Sequence, residues 1–473
     1  MRTWIVLGLI IAIPLASGSL QPSDEAQFWA ASGVDQAFVR LLINNQECHS
    51  SSEYLRACEV AVPLANGDFD VAVEAVTAQS PPLTPEVAYG RVVNRLLREF
   101  DPHARLVPTA QIAFEHSLQS GDYVGIGITK ALTSSGLIIR EVVHDSPAER
   151  AGLQSGDRIV RIDGLPAETG ARLTGAVGSR LTLQIERQGL FLQKQVVIAT
   201  VVRRYVESRT LGEGARKMGY LRLSRFVHGV CDGVRERFEA MQDVGGWILD
   251  LRGNPGGLMD EVKCLAANLL GGTNRIVGQR TVDIPLPRAL ALKSVSADSE
   301  VVWEMGWSDR QLQNKPLVVL IDHASASASE ILAAALQDHG RAVIVGEPSF
   351  GKGSAQLAEA LTRVPGLTVV HTVSLFYRPM GPGLQRRGVE PDVVVNGRGL
   401  APAREGEVFA RALPAAPLSV VFELKRGFAR SLRECVADQR RDPARWNDFT
   451  KAADRFDLQL AHAIVTLECI SRH

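Results

Sequence analysis

A serine-rich turn at residues 325–329 and a lysine at position 352 have the side chains needed for acyl transfer. Ser325, Ser327 and Ser329 alternate with alanines after a β-branched run that predicts a buried strand. A helical run follows, so the serines would lie at a helix N-terminus, where free backbone N–H groups stabilise a developing negative charge. Lys352 lies between two glycines in a later loop, and a buried lysine can take the proton from a serine hydroxyl. These residues predict a Ser/Lys pair without choosing among the serines.

Gln356 lies four residues after Lys352, a spacing that puts both side chains on one face of a helix or a strand. An amide at this position can orient the amine without adding charge. A different enzyme would use a Ser/His/Asp triad, with His323 or His339 as the base and Asp338 as its partner. The plain alternative is an N-cap region followed by a solvated Gly-Lys-Gly turn, with no catalysis.

The whole stretch resembles the carboxyl-terminal processing, or tail-specific, serine peptidases. The resemblance rests on the SASASEI turn at 325–331, the Asp-x-Gly-Arg-Ala segment at 338–342 and the FGKGSAQ loop at 350–356. It implies that Ser327 is the nucleophile, that Lys352 is the general base 25 residues later, and that Gln356 completes the triad. No metal or cofactor is expected.

A second signature of that family is the sequence DLRGNPGG at 250–257. Glycines let the backbone approach a ligand closely and point N–H groups at it. The resemblance implies an oxyanion hole made by the amide of Ala328 and one amide of the Gly256 and Gly257 pair. The sequence does not say which glycine donates.

Residues 123–128 and 142–162 resemble the carboxylate-binding loop and the second half of PDZ domains. Backbone N–H groups of such a loop bind the terminal carboxylate of a peptide that adds to a sheet edge as a strand. The loop residues are Gly125, Ile126, Gly127 and Ile128. We therefore expect an α/β fold, in which a crotonase-like protease core carries an inserted PDZ β-sandwich domain between helical N-terminal and C-terminal segments.

The expected organisation has five parts: a signal peptide over 1–18, a helical region over 19–107, a PDZ domain over 108–200, a peptidase core over 201–397 and a helical extension over 398–473. The signal peptide is predicted from one arginine, an apolar stretch and small residues suited to cleavage. Export to the bacterial periplasm follows as an expectation. Residues 283–314 are predicted to be irregular, and His103 to be structural.

Composition narrows the classes of function. The 473 residues include 52 basic and 52 acidic side chains, and a net charge of zero argues against nucleic-acid binding. Cysteines of an exported protein meet an oxidising compartment, where disulfides persist. Proximity in sequence predicts the pairs Cys48–Cys58, Cys231–Cys264 and Cys435–Cys469.

The resulting hypothesis is an exported serine endopeptidase that processes the C-terminal tails of proteins. Its expected partners are protein or peptide substrates with free C-termini. The predicted pair of C-terminal helices adds a homodimer as a candidate, and the resemblance adds a lipoprotein adaptor. The alternative from another class is a catalytically silent PDZ scaffold that binds peptides. Filled positions at Ser327, Lys352 and Gln356 argue against that alternative.

Overall fold

The computed structural model describes residues 93–471 with gaps, the longest of which are 113–121, 283–301 and 414–428. Its strands, in chain order, are β1 (Arg105–Pro108), β2 (Asp122–Gly125), β3 (Ile128–Thr133), β4 (Gly136–Val142), β5 (Arg158–Ile162), β6 (Leu165–Pro166), β7 (Arg180–Arg187), β8 (Leu190–Val197), β9 (Ala199–Val202), β10 (Val206–Leu211), β11 (Met218–Leu223), β12 (Trp247–Asp250), β13 (Gly272–Thr281), β14 (Val302–Ser308), β15 (Leu317–Ile321), β16 (Val343–Gly346), β17 (Ser354–Ala360), β18 (Leu367–Tyr377) and β19 (Val393–Val394). Its α-helices are α1 (Pro147–Arg150), α2 (Val230–Ala240), α3 (Met259–Leu270), α4 (Ala328–Asp338), α5 (Glu405–Val408), α6 (Ala429–Arg441) and α7 (Leu458–Ile470).

A six-stranded sheet with the order β10-β11-β12-β15-β16-β19 forms the centre of the core. The strands are parallel except for the antiparallel pair β10 and β11. Side chains such as Leu249 and Val319 pack against α2, α3 and α4, whereas their neighbours Ile248 and Val318 pack against α7. Because both faces of the sheet are buried, its strands are apolar throughout rather than alternating.

The C-terminal helix α7 is therefore a layer of the core. Its side chains, including Ile464 and Val465, are buried against the outer face of the central sheet. At its start, Asp457 accepts hydrogen bonds from Arg252 at 2.7 and 2.8 Å, and Arg252 also binds Asp250. The arginine of the DLRGNPGG signature thus attaches this helix to the end of β12.

A second sheet, with the order β1-β18-β13-β14, also carries β17 on β18. Residues 302–308 form strand β14, so the prediction of an irregular segment over 283–314 was wrong there. Antiparallel pairing with β13, a long-range contact, decides this strand, and local sequence carries little of that signal. Strand β1 begins inside the region that we expected to be helical, over residues 105–107, and it pairs with β18.

The PDZ region is a β-sheet domain with its own core. Strands β3, β4, β5, β7 and β8 form one sheet, to which β6 adds by pairing with β5, and β2 pairs with β9 in a separate two-stranded sheet. Helix α1 begins as predicted, with Pro147 at its first turn and the Ser146 side chain accepting the amide of Glu149 at 3.2 Å.

Two of the three predicted disulfides are present. Cys231–Cys264 joins α2 to α3, and Cys435–Cys469 joins α6 to α7. The predicted pair Cys48–Cys58 and the predicted signal peptide lie outside the described residues. Within the part of the chain that is described, no helix has the length and apolar character needed to cross a membrane.

Candidate active site

The turn between β15 and α4 distinguishes the three serines. Ser325 Oγ donates to the carbonyl of Leu251 at 2.8 Å, and Ser329 Oγ donates to the carbonyl of Asn254 at 2.9 Å. Ser327 Oγ is buried and has no hydrogen-bond partner among the described residues. Its backbone has a φ of 58° and a ψ of −113°, a conformation that a residue with a side chain rarely adopts and that is typical of functional turns. Of the three hydroxyls, that of Ser327 remains available for chemistry.

Lys352 is buried two residues before β17 begins, with 1% of its surface exposed. Its Nζ donates to Gln356 Oε1 at 2.7 Å and to the carbonyl of Ser354 at 3.0 Å. Burial lowers the pKa of Lys352 from 10.5 to about 8, although the charges of Glu405 and Glu330 oppose that shift. The predicted contact between Lys352 and Gln356 is therefore present, and a pKa of about 8 leaves the amine neutral in about a tenth of molecules at pH 7.

A buried carboxylate connects the nucleophile turn to the lysine loop. Glu330 accepts hydrogen bonds from the amides of Ser327 and Gly351 at 2.6 Å each, from the amide of Lys352 at 2.8 Å, and from Ser349 Oγ at 2.6 Å. Burial raises the pKa of Glu330 to about 7, and the hydrogen bond from Ser349 opposes that shift. Glu330 was not among the site residues predicted from the sequence. Its place three residues after a helix N-cap, typical of a capping box, was the available signal.

The two glycines of the DLRGNPGG signature differ in their hydrogen bonds. The amide of Gly256 donates to Asn254 Oδ1 at 2.9 Å. The amides of Gly257 and Ala328 donate to no acceptor within the described residues. A Cβ added to Gly256 would lie 3.0 Å from the amide nitrogen of Ala328 and 2.9 Å from the carbonyl oxygen of Ala326. Gly256 therefore leaves open the space in front of the Ala328 amide.

The groups of the alternative Ser/His/Asp triad are not assembled. His323 faces Glu347 at 3.5 Å, and the ring of His339 bonds to a backbone carbonyl of β13 at 2.8 Å. The carboxylate of Asp338 binds the guanidinium of Arg378, with distances of 2.9 and 3.0 Å from Nε. This arrangement gives no support to either histidine as a base.

His103 lies beside the lysine loop in a buried network. Its Nε2 is 2.8 Å from Glu405 Oε1, and its ring meets Phe409 edge to face. Gln385 donates to the same oxygen of Glu405 at 2.9 Å and accepts the amide of Gly353 at 2.9 Å. These contacts agree with the structural role expected for His103, since they support the loop that carries Lys352.

The predicted carboxylate-binding loop of the PDZ region connects β2 to β3. The carbonyls of Ile126 and Gly127 accept the amides of Ala148 at 2.7 Å and Val143 at 2.9 Å. Their own amides donate to no acceptor in the described part of the chain. Gly127 has a φ of 88°, and a Cβ on it would lie 2.2 Å from the Cβ of Ser146. The loop thus needs glycine and has two unused donors.

Comparisons with known proteins show which families this chain is similar to. The family model described as Peptidase family S41 matches residues 217–395, and a PDZ domain model matches residues 138–187. The chain is 30% identical over 317 residues to a carboxy-terminal-processing protease of Bartonella bacilliformis, covering 64% of this chain and 68% of the relative. It is 31% identical over 327 residues to a carboxyl-terminal-processing protease of Picosynechococcus sp., covering 67% and 74%. The solved photosystem II D1 C-terminal processing protease is 26% identical, with a TM-score of 0.42 over 73% of this chain and 94% of that one.

An α/β core with a PDZ domain and these relatives define a serine-type peptidase. The chain belongs to the carboxyl-terminal-processing proteases of peptidase family S41. The relatives that establish the family are named as proteases, which argues against the alternative of a catalytically silent PDZ scaffold.

Proposed function

We propose that this peptidase cleaves proteins through a Ser/Lys/Gln acyl-enzyme mechanism. Ser327 Oγ attacks the scissile carbonyl while neutral Lys352 takes the hydroxyl proton and then gives it to the leaving amine. Water, activated by the same lysine, hydrolyses the acyl-enzyme and releases Ser327. Gln356 holds the amine without adding a charge that would favour its protonated form.

This proposal rests on a buried lysine with a lowered pKa and on a buried serine hydroxyl that has no hydrogen-bond partner among the described residues. The backbones of Ser327 and Lys352 lie close together, because Glu330 Oε2 accepts hydrogen bonds from both of their amides. A general base works best when its pKa lies near the working pH, and burial brings Lys352 to about 8. Neither histidine of the alternative triad has a comparable arrangement.

The amides of Gly257 and Ala328 are the proposed oxyanion hole. Both lack acceptors among the described residues, whereas the amide of Gly256 is already bound to Asn254. Ala328 lies at the first turn of α4, where backbone donors have no partner within the helix. Donors fixed in advance stabilise the tetrahedral intermediate without reorganising during the reaction.

The conformation described here is closed. Ser327 is 0% exposed and Lys352 is 1% exposed, and the serine hydroxyl makes no hydrogen bond to the amine among the described contacts. Cleavage therefore requires an opening that admits the substrate and turns the Lys352 Nζ from the Ser354 carbonyl towards Ser327. Catalytic hydrogen bonds often form only in the enzyme–substrate complex.

Substrate capture is proposed for the PDZ loop at residues 125–128. The unused amides of Ile126 and Gly127 suit the terminal carboxylate of a peptide, a charged acceptor that binds backbone donors more strongly than a neutral group does. Export is proposed from the N-terminal sequence, and the two disulfides support an oxidising compartment. A homodimer and a lipoprotein adaptor remain candidate partners.

Casein digestion by the purified chain and its variants tests the mechanism. Ser327→Ala and Lys352→Ala should leave casein intact and still unfold cooperatively on heating. Ser471→Ala is the matched control, because its hydroxyl lies at the end of α7 and bonds only the carbonyl of Leu467 among the described contacts. Cleavage by Ser327→Ala at the parent rate would overturn the proposed nucleophile.

A further inference from the structure

The side-chain amide of Gln356 must face Lys352 in one of two orientations. In the observed orientation Oε1 accepts from Lys352 Nζ at 2.7 Å, and Nε2 donates to Ser354 Oγ and Thr372 Oγ1 at 3.1 Å each. A flipped amide would present Nε2 to Lys352, and an amide NH₂ group cannot accept a hydrogen bond from the lysine Nζ. Something must therefore select the productive orientation.

Thr372 can make that selection because the direction of its own proton is fixed. Its Oγ1 donates to Asp101 Oδ1 at 3.0 Å. The Asp101 carboxylate also accepts the amide of Thr372 at 2.6 Å and the amide of His103 at 3.0 Å, so every described partner is a donor. With its proton committed to Asp101, the hydroxyl offers only a lone pair to Gln356, and only the Nε2 end of the amide fits. Ser354 Oγ does not discriminate in this way, because its hydroxyl can rotate.

The fold brings these groups together from distant parts of the chain. Asp101 and Thr372 are 271 residues apart, and β1, which follows Asp101, pairs with β18, which contains Thr372. A register shift between Ala355 and Gln356 pairs Gln356 directly with Thr372 across β17 and β18. Opposed residues of an antiparallel pair have their side chains on one face, and bulges redirect side chains beside active sites.

The direction of each hydrogen bond in this network matters because its residues are buried. Asp101 is 0% exposed, Thr372 1% and Gln356 3%, so little water is present to replace a lost partner. In such surroundings a donor facing a donor is costly, and a satisfied network holds a single arrangement.

We propose that Thr372 and Asp101 are positioning residues that orient the catalytic lysine through Gln356. The carboxylate sets the direction of the threonine proton, and the threonine lone pair sets the orientation of the glutamine amide. The amide oxygen then holds Lys352 Nζ. This inference rests on the proposed Ser/Lys/Gln mechanism, and neither Asp101 nor Thr372 needs to touch the substrate.

The test compares Thr372→Val, which removes the hydroxyl and keeps the shape, with Thr372→Ser, which keeps the hydroxyl. Thr372→Val should lower kcat by about tenfold or more with KM little changed, since misplacement of a catalytic group acts on the chemical step. Thr372→Ser should stay within about threefold of the parent chain. Thr372→Ala serves in place of the valine variant if that variant does not fold, as judged by thermal unfolding.

A double-mutant cycle separates positioning from general structural support. In a Gln356→Ala background, which should retain slow measurable turnover, Thr372→Val should lower kcat by less than twofold, because its effect passes through the missing amide. A full tenfold loss in that background, or parent kcat in the single variant, would refute the inference. Ser327→Ala and Lys352→Ala run in the same assay, and activity in either would instead count against the proposed mechanism.

Discussion

The pH dependence of cleavage follows directly from the burial of Lys352. At its ordinary pKa of 10.5, this amine would be neutral in about one molecule in a thousand at pH 7.5. With the pKa lowered to about 8, it is neutral in roughly a quarter of molecules. The gain is about 200-fold in active form, equivalent to about 3 kcal/mol.

Since the neutral amine is the active form, kcat/KM should rise with pH, pass through half its maximum near the lowered pKa of about 8, and level off above it. At pH 6.5 the value should be about thirtyfold below the plateau. Glu330, whose pKa is raised to about 7, also ionises on this acid limb. The measurement is the initial rate on a fluorogenic peptide at low substrate concentration, from pH 6 to pH 10.

Substitution with arginine is the decisive variant. Lys352→Arg keeps the positive charge but cannot release its proton in this pH range, so it should be inactive at every pH. Lys217→Arg is the matched control, because Lys217 is partly exposed and paired with Asp243 at the surface. Appreciable activity in Lys352→Arg, or a flat profile between pH 6 and 9, would refute the role of the lysine as general base.

Three other results are expected. Gly256→Ala should lower kcat by about 10²- to 10³-fold, because its methyl group would crowd the Ala328 amide. The control Gly233→Ala should retain activity, since a Cβ added there would lie 3.6 Å from its nearest neighbouring atom. An active Gly256→Ala would exclude this oxyanion hole. Peptides with a free C-terminus should bind the PDZ loop at least tenfold more tightly than amidated ones in a fluorescence titration, and equal affinities would contradict the carboxylate assignment. Mass spectrometry of the non-reduced protein should find both described disulfides, and finding all of these thiols free would contradict them.

Much of the candidate site could be read from local sequence because its chemistry depends on short segments. A β-branched strand, a small-residue turn and a helix start place a serine among free amides, and the four-residue spacing brings Gln356 to Lys352. Pairing of cysteines by proximity also predicted Cys231–Cys264 and Cys435–Cys469.

Choices between similar residues required the tertiary structure. The carbonyls of Leu251 and Asn254, which lie about 75 positions from the serines, accept the hydroxyls of Ser325 and Ser329, whereas that of Ser327 has no partner in the described part of the chain. Asn254 likewise binds the amide of Gly256 and not that of Gly257. Residues of the same type therefore take different roles according to the hydrogen-bond partners that the fold brings to them. The sequence alone does not show where those partners lie.

The remaining features depend on contacts between segments far apart in the chain. Strand β14 exists through its pairing with β13, and α7 is part of the core because the central sheet presents a second apolar face to it. Asp101 reaches Thr372 only because β1 pairs with β18. The sequence by itself therefore indicated the types of the proposed reacting groups and the local geometry of their turn. Tertiary packing decided which hydroxyl is free, how deeply the lysine is buried and which buried carboxylates surround it, since burial and hydrogen-bond partners arise only when distant strands meet.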